Sequence, residues 1–270
     1  MENPPNKDIV RSVLRAFNLL EIISKEQPVQ LSRLCRVSGL KKTTVARLTG
    51  TLQAAGIINQ DPENKTFSMT ILAVELGSRV LNKLEVRRLG RPLIETFVTK
   101  ERMSVLVSVL DRNEVIYIDK VTAHEPYRIN MTAGERAPAY CTGGGKALLA
   151  FIDDDLRREI LSEAPLKPLT ERTITDIEKL EADLAETRRR GYSLDYEERM
   201  KGVVSVGAPI FGPEKRVLAA ISVPRMKNTI SEAGLKKLGK KASLLAQEIS
   251  RLAGCEEQFI YQVRVEADGQ

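Results

Sequence analysis

One short segment of the chain combines residue types that can hold an anion. The run Thr142–Lys146 (TGGGK) leads into the apolar stretch Ala147–Phe151, which predicts a short helix. Exposed amides at a helix start carry partial positive charge, and glycines let a backbone approach a ligand closely. This segment is therefore expected to bind a small carboxylate. A second interpretation stays open, in which the glycines only permit a tight turn.

The sequence gives little support to nucleotide hydrolysis or acid/base catalysis. In a P-loop, Ser or Thr follows the Gly-Lys pair, whereas Ala147 follows Lys146 here, and Tyr140 occupies the position of the first glycine. Asp195 and Glu197 could share one face of a strand by alternation. Carboxylates this close in sequence are more typical of a solvated strand end than of a catalytic pair.

Histidine and cysteine usage argues against metal sites and catalytic triads. His124 is the only histidine and is expected in an exposed loop. The three cysteines, Cys35, Cys141 and Cys255, are far apart and have no CxxC spacing, which is typical of a reducing compartment. We therefore predict no catalytic residue, no metal, no cofactor and no enzymatic activity.

A second stretch has the charge pattern of a DNA-binding surface. From Gln27 to Gln60 there is no Asp or Glu, although 29% of the chain is charged. Neutralisation of phosphates by Lys and Arg supplies most sequence-independent affinity for DNA, so acids are excluded where the duplex lies. The net charge of +6 agrees with a polyanionic partner. The predicted DNA contacts are Arg33, Lys41, Lys42, Thr43, Thr44 and Arg47, with Lys65 reaching the flanking backbone.

Hydrophobic spacing places this stretch in a winged helix-turn-helix. Apolar residues recur at helical spacing in Val10–Ile23, in Leu31–Val37 and again in Thr43–Ala55. Two short β runs, Ile57–Gln60 and Lys65–Met69, then flank a turn. Three helices followed by a hairpin is the winged-helix order, and its third helix enters the major groove with its N-terminal residues at the base edges.

The remaining residues predict a linker helix and an α+β domain. Thr70–Leu89 has a helical apolar stripe, interrupted at Gly77, that could serve either as core or as a dimer seam; Arg91-Pro92 opens a further helix. Strands, one of them at Tyr127–Met131, then alternate with helices and are joined largely by hairpins. This pattern predicts a central antiparallel sheet of the GAF or PAS kind. The expected divisions are residues 1–76, 77–90 and 91–270.

The sequence shows no membrane or export segment. No apolar run approaches the roughly 18–20 residues that a membrane span needs. Met1–Lys7 is polar and precedes no apolar core of a signal peptide. We therefore expect a cytoplasmic protein with no membrane partner.

Five segments together resemble the IclR family of bacterial transcription regulators. They are Arg11–Phe17 (RSVLRAF), Gly39–Leu48 (GLKKTTVARL), Tyr140–Leu149 (YCTGGGKALL), Arg188–Glu198 (RRRGYSLDYEE) and Ala219–Val223 (AAISV). Their order and spacing cover nearly the whole chain. The resemblance implies a winged-helix domain, a linker helix, an effector domain, and a homodimer or homotetramer on a palindromic operator.

The resemblance also implies where a small effector binds. Ser205 stands where the family frequently has Cys, and Pro224 replaces a Ser, which removes an N–H and a hydroxyl. The triple glycine is smaller than the family's usual residues and predicts an enlarged pocket for a bulkier acid. The implied effector positions are Thr142, Gly143, Gly144, Asp195, Ser205 and Ser222.

The sequence thus predicts a DNA-binding transcription regulator of the IclR type that is controlled by a small organic acid, with a carboxylate as the expected group. The alternatives are a nucleic-acid-binding protein without ligand response and an enzyme that uses the α+β domain. The first alternative leaves a second half of about 180 residues, which is large enough for a domain of its own, without a use.

Overall fold

The computed structural model describes residues 9–124, 131–163 and 165–256. The chain divides into two compact units, Met1–Lys83 and Leu84–Gln270. This single division differs from the predicted divisions after residues 76 and 90. The helical stretch between the domains is continuous through Gly77 and breaks at Leu84, whose backbone is extended (φ −76°, ψ 97°).

The first unit is a winged helix-turn-helix followed by a fourth helix, as predicted. Gly39 and Gly56 adopt left-handed backbone just after the second and third helices, the position where glycine carries no steric penalty. The two strands pair antiparallel as a hairpin. The elements are α1 Arg11–Glu26, α2 Leu31–Ser38, α3 Lys42–Ala54, β1 Ile58–Gln60, β2 Phe67–Met69 and α4 Ile71–Lys83.

The core of the first unit uses only part of its apolar residues. Leu19, Ile23, Leu34 and Val45 are fully buried against one another. The start of α1 and the whole of α4 leave large apolar side chains exposed, and Phe17 is 66% exposed. Large apolar side chains exposed in this number along a helix are typical of contact sites on soluble proteins. The exposed side chains are Val10, Val13, Leu14 and Phe17, and in α4 Ile71, Val74, Leu76 and Val80.

The second unit is an α+β domain built on one antiparallel sheet of six strands, in the order β5-β4-β3-β8-β7-β6. This arrangement confirms the predicted fold class. Its strands are β3 Val105–Asp111, β4 Glu114–Val121, β5 Arg136–Pro138, β6 Ser193–Tyr196, β7 Val203–Phe211 and β8 Val217–Met226. Its helices are α5 Glu85–Glu101, α6 Gly143–Phe151, α7 Asp154–Ser162, α8 Ile177–Arg190 and α9 Glu232–Leu252.

Two sequence expectations differ from the structure in this unit. The predicted strand Tyr127–Met131 lies outside the described residues except for Met131, which is not in a strand. The helix expected to open at Arg91-Pro92 begins at Glu85, so Pro92 lies inside α5. In the first unit, the expected interruption at Gly77 is absent from α4, because a glycine costs a helix only about 1 kcal/mol.

Helices cover both faces of the central strand β7. Eight of its nine residues are buried. Ser205 and Gly207 lie against the start of α6, and α9 packs along the same strand. At Gly239, α9 lies so close to the ring of Tyr192 that an added Cβ would be 2.3 Å from two ring carbons. The domain therefore depends on close approach of both helices to the sheet.

We expect Gly239→Ala to lower the free energy of unfolding of the second unit by about 1–3 kcal/mol, because the new methyl group must displace the Tyr192 ring or α9. Urea denaturation followed by circular dichroism measures the change. Gly50→Ala in α3 is the control, since a methyl group there meets no atom within 4 Å. A Gly239→Ala midpoint equal to that of the parent chain would contradict this packing.

Candidate functional site

The start of α3 presents cations and hydroxyls on one exposed side, while Val45 and Leu48 face the core. The first turn contains no acid, and no side chain caps its N–H groups. The N–H of Thr44 donates to the carbonyl oxygen of Lys41 at 2.9 Å, whereas the N–H groups of Lys42 and Thr43 precede the helical hydrogen bonds and are available to a phosphate. Of the residues predicted from sequence to contact DNA here, Lys41, Lys42, Thr43 and Arg47 are exposed and Thr44 is half-buried.

The two other predicted DNA contacts differ from each other in their pairing. Arg33 is held by Glu26 through two hydrogen bonds of 2.7 and 2.8 Å, so its charge is already compensated. Glu26 lies immediately before the acid-free stretch, which explains why the composition of that stretch did not reveal the pair. Lys65 is exposed at the end of the hairpin turn. Arg47 is therefore a stronger candidate for a DNA contact than Arg33.

In the second unit, the six effector positions indicated by the family resemblance come together around one small cavity of about 30 Å³, enough for one or two water molecules. Five of the six line it, and Gly144 lies beside it, facing Ser108 and Ser222. Thr142 caps α6 by accepting the N–H of Gly145 at 3.2 Å. The N–H groups of Gly143 and Gly144 have no acceptor within α6, because the first N–H groups of a helix precede its own hydrogen-bonded carbonyls.

The predicted enlargement of this pocket by the triple glycine is wrong. A Cβ at Gly143 would lie 2.7 Å from the Ser205 hydroxyl oxygen, and a Cβ at Gly144 would lie 2.6 Å from that of Ser108. The space of the absent side chains is therefore filled by serine hydroxyls from the sheet. At Gly145 a Cβ would overlap the main chain. The glycines allow close packing of α6, and they leave no additional room for a ligand.

Asp195 is the buried acceptor of the cavity. Ser205 donates its hydroxyl to Oδ2 at 3.0 Å, and the N–H of Glu198 donates to Oδ1 at 2.9 Å. Burial raises the pKa of Asp195 from 3.8 to about 6, although these hydrogen bonds and the charge of Lys146 oppose the shift. The carboxylate thus offers its remaining lone pairs to a hydrogen-bond donor in the cavity.

A buried ion cluster lies behind Asp195, and the sequence reasoning missed it. The ammonium nitrogen of Lys146, a side chain 1% exposed, lies 2.5 Å from Glu198 Oε1 and 2.9 Å from Asp183 Oδ2. Burial raises the pKa of Glu198 to about 7. The carboxylates after β6 do not end in solvent, because Glu197 adopts left-handed backbone (φ 65°) and returns the chain inward. A lysine in the otherwise apolar helix GGGKALLAF was the available signal.

Arg199 brings positive charge to the cavity wall. Its Nη1 donates to the Tyr117 hydroxyl at 3.1 Å and to the Met131 sulfur at 3.2 Å, and the guanidinium lies 5.9 Å from the Tyr117 ring centroid. Burial raises the pKa of Tyr117 to about 12, so the phenol stays neutral. Most of the remaining wall is apolar, formed by Leu106, Met131, Met200, Val203 and Pro224.

Both halves of the chain match one family of known proteins. Residues 12–62 match the IclR helix-turn-helix domain, and residues 78–251 match the C-terminal domain of the bacterial transcriptional regulator IclR. The chain belongs to the IclR family. As in the rest of that family, its role is that of a DNA-binding transcription regulator and not that of an enzyme.

Individual members of the IclR family cover nearly the whole chain. It is 30% identical over 247 residues to the HTH-type transcriptional regulator KdgR of Escherichia coli K12, covering 92% of this chain and 94% of the relative. It is 28% identical over 244 residues to KipR of Bacillus subtilis 168, covering 90% and 97%. The crystal structure of an IclR regulator from Alicyclobacillus acidocaldarius is 26% identical, with a TM-score of 0.79 over 91% of this chain and 100% of that one.

The remaining candidate sites of this IclR-family chain are its histidine, its acidic side chains and its helices. His124 is exposed and lies in a loop, as expected. Within residues 9–124, 131–163 and 165–256, no group of three or more His, Cys, Asp or Glu side chains is arranged to hold a metal ion. Across the same ranges, every helix is too short or too polar to cross a bilayer.

The raised pKa of Asp195 predicts a pH-dependent stability. The folded chain holds the proton of the Asp195 carboxyl more tightly than the unfolded chain does. The protonated carboxyl therefore contributes its full share of the folding free energy below pH 3.8, and this contribution is lost as the pH rises through about 6. We expect the stability advantage of the parent over Asp195→Asn to fall by up to about 3 kcal/mol between pH 4 and pH 7. Urea denaturation across this range measures the change.

The control for that experiment is Asp155→Asn, at a carboxylate that is 87% exposed, and this variant should follow the parent profile. Parallel pH profiles for the parent and Asp195→Asn would show that this carboxyl is not desolvated.

Proposed function

We propose that the chain binds a palindromic operator as a homo-oligomer in the cytoplasm and that a small organic acid in the cavity controls this binding. The observation that carries the proposal is the convergence of Thr142, Gly143, Asp195, Ser205 and Ser222 on one cavity. The N–H groups at the start of α6 carry partial positive charge, which favours an acidic ligand. The exposed start of α3 supplies the DNA-reading surface.

In this proposal α3 lies in the major groove of DNA. Arg47 and Lys42 contact bases or phosphates, and the hydroxyls of Thr43 and Thr44 bind phosphate together with the N–H groups of the helix start. Lys65, at the end of the hairpin turn, reaches the flanking backbone. The absence of acids between Gln27 and Gln60 supports this arrangement, because any carboxylate there would repel the phosphates.

Two protomers would straddle the two half-sites of the operator. The exposed apolar side chains at the start of α1 and along α4 support an oligomer, since burial against a second copy would remove them from water. We propose a dimer that can pair into a tetramer. The effector would change the spacing of the two recognition helices or the pairing of dimers, and it can do so only by its different affinity for the two arrangements.

We expect Arg47→Ala to weaken operator binding at least about tenfold and to make its salt dependence shallower, because a contact to DNA is lost. Gel shift with DNA selected from a random-sequence library measures both. Lys236→Ala removes an exposed cation of α9 and serves as the charge-matched control. Equal affinity of Arg47→Ala and the control would exclude α3 as the reader.

We expect Asp195→Ala and Ser205→Ala to bind the operator normally but to lose the response to the acid that acts on the parent chain. Both substitutions remove groups of the cavity wall and leave the first unit unchanged. Titration of the acid into the protein–operator complex, followed by fluorescence anisotropy, measures the response. Ser162→Ala, at an exposed serine of α7, is the control. A full response from both cavity variants would remove the cavity from the mechanism.

A further inference from the structure

Strand β4 carries one extra residue next to the cavity. Val107 and Ser108 of β3 pair with Asp119 and Tyr117 of β4, so Ile118 is left without a partner in β3 and forms a β-bulge. In a regular strand Tyr117 and Asp119 would lie on one face, because side chains alternate. The bulge instead directs Tyr117 to the cavity and Asp119 to α5.

Asp119 is a buried carboxylate between two arginines of α5. Its side chain is 6% exposed, and Arg91 Nη1 donates to both of its oxygens, at 2.9 and 3.1 Å. Arg87 lies one turn earlier on the same side of α5, with Nε 3.4 Å from Oδ2. That buried Nε has no hydrogen bond within the described part of the chain. Two cations therefore face one carboxylate, which is hydrogen-bonded to Arg91.

The carboxylate of Asp119 is tied to β4, whereas the two arginines are tied to the start of α5. The N–H of Lys120 donates to Asp119 Oδ1 at 2.9 Å, so the carboxylate moves with the strand. Helix α5 begins at Glu85, directly after the break at Leu84, which places Arg87 in its first turn. The contact between Asp119 and the arginines thus links a strand of the cavity wall to the first residues of α5.

We propose that Asp119 is a positioning residue that couples the cavity to α5 by switching its hydrogen bond from Arg91 to Arg87. A displacement of β4 at Tyr117 would move Asp119 along α5, because only Ile118 separates the two residues. The arginines are about 6 Å apart along the helix axis, so the switch has two discrete arrangements. The inference rests on the proposed function and deepens it, since it names the contact through which the cavity acts on α5.

Neither arrangement leaves an arginine without a counter-charge. Arg91 Nε also donates to Glu95 at 2.9 Å, so Arg91 keeps a partner when Asp119 leaves it. Arg87 would gain the hydrogen bond that its Nε lacks. Because each arrangement contains one hydrogen-bonded pair of Asp119 with a guanidinium, the two differ little in free energy. A small difference in ligand affinity can then shift their populations.

The test is a double-mutant cycle on the full chain, in which a change in the cavity wall replaces the ligand. Tyr117→Leu changes the wall at β4, and Tyr117→Phe is a second change that keeps the ring. Each is combined with Arg87→Gln, which leaves the hydrogen bond between Asp119 and Arg91 in place. Gel shift with the selected operator DNA measures affinity, and hydrogen–deuterium exchange measures the main-chain N–H groups of Val86–Arg91. Circular dichroism verifies that each variant is folded.

We expect Tyr117→Leu alone to change operator affinity about fivefold or more and to alter hydrogen exchange at the start of α5. In the Arg87→Gln chain the same substitution should change affinity less than about twofold. Arg88→Gln, at an exposed residue of the same helix, is the charge-matched control and should keep the full change. A purely structural role would not produce this difference, because Arg87 Nε forms no hydrogen bond here. Asp119→Asn should behave like Arg87→Gln.

The two readouts separate this inference from the function on which it rests. Equal effects of Tyr117→Leu in the Arg87→Gln and Arg88→Gln chains would overturn the switch, and so would the absence of any effect of both Tyr117 variants in the parent chain. If operator binding does not depend on Arg47, the proposed function fails and hydrogen exchange alone judges the switch. Loss of the Tyr117 effect on α5 in Arg87→Gln but not in Arg88→Gln supports the inference.

Discussion

The close approach of α6 to strand β7 is the constraint on which the cavity depends. A Cβ at Gly207 would lie 2.1 Å from the carbonyl oxygen of Gly143, so two glycines must face each other for the helix to reach the sheet. Ser193 fixes the contact by donating its hydroxyl to the same carbonyl at 2.5 Å. With the helix start held there, Gly143 lies beside Ser205, whose hydroxyl donates to Asp195 in the cavity wall.

The buried ion cluster extends this constraint to the turn after β6. Lys146 lies one turn into α6 and reaches Glu198, whose main-chain N–H in turn donates to Asp195. Buried ion pairs contribute little net stability because desolvation offsets their attraction, yet loss of one partner is strongly destabilising. The cluster therefore fixes the position of Asp195, the buried acceptor of the cavity, relative to α6. Arg199 is the next residue along that turn.

The sequence predicted what depends on local spacing and missed what depends on distant contacts. The spacing of three amphipathic helices, together with glycines at turn positions such as Gly39, was sufficient to predict the winged helix-turn-helix. The three-residue edge strand β5 is too short to show a period, and the helix break at Leu84 has no glycine or proline to mark it. Lys146 and Glu198 are 52 residues apart, so their pairing had no local signal. The predicted enlargement of the cavity was wrong for the same reason. Ser108, which fills the space beside Gly144, comes from a strand that sequence spacing could not place there.

Arg33 and Arg199 show why local composition does not reveal which side chains pair with which among the residues that the structure describes. Arg33 lies in a stretch without acids, yet Glu26, one residue before that stretch, neutralises it. Arg199 follows the acidic run DYEE, yet each of those acids has another partner: Asp195 binds Ser205, Glu198 binds Lys146, and Glu197 accepts the N–H of Gly202. An uncompensated cation is what both a phosphate and a carboxylate require. The pairing in three dimensions therefore decides which arginines can serve DNA or an effector.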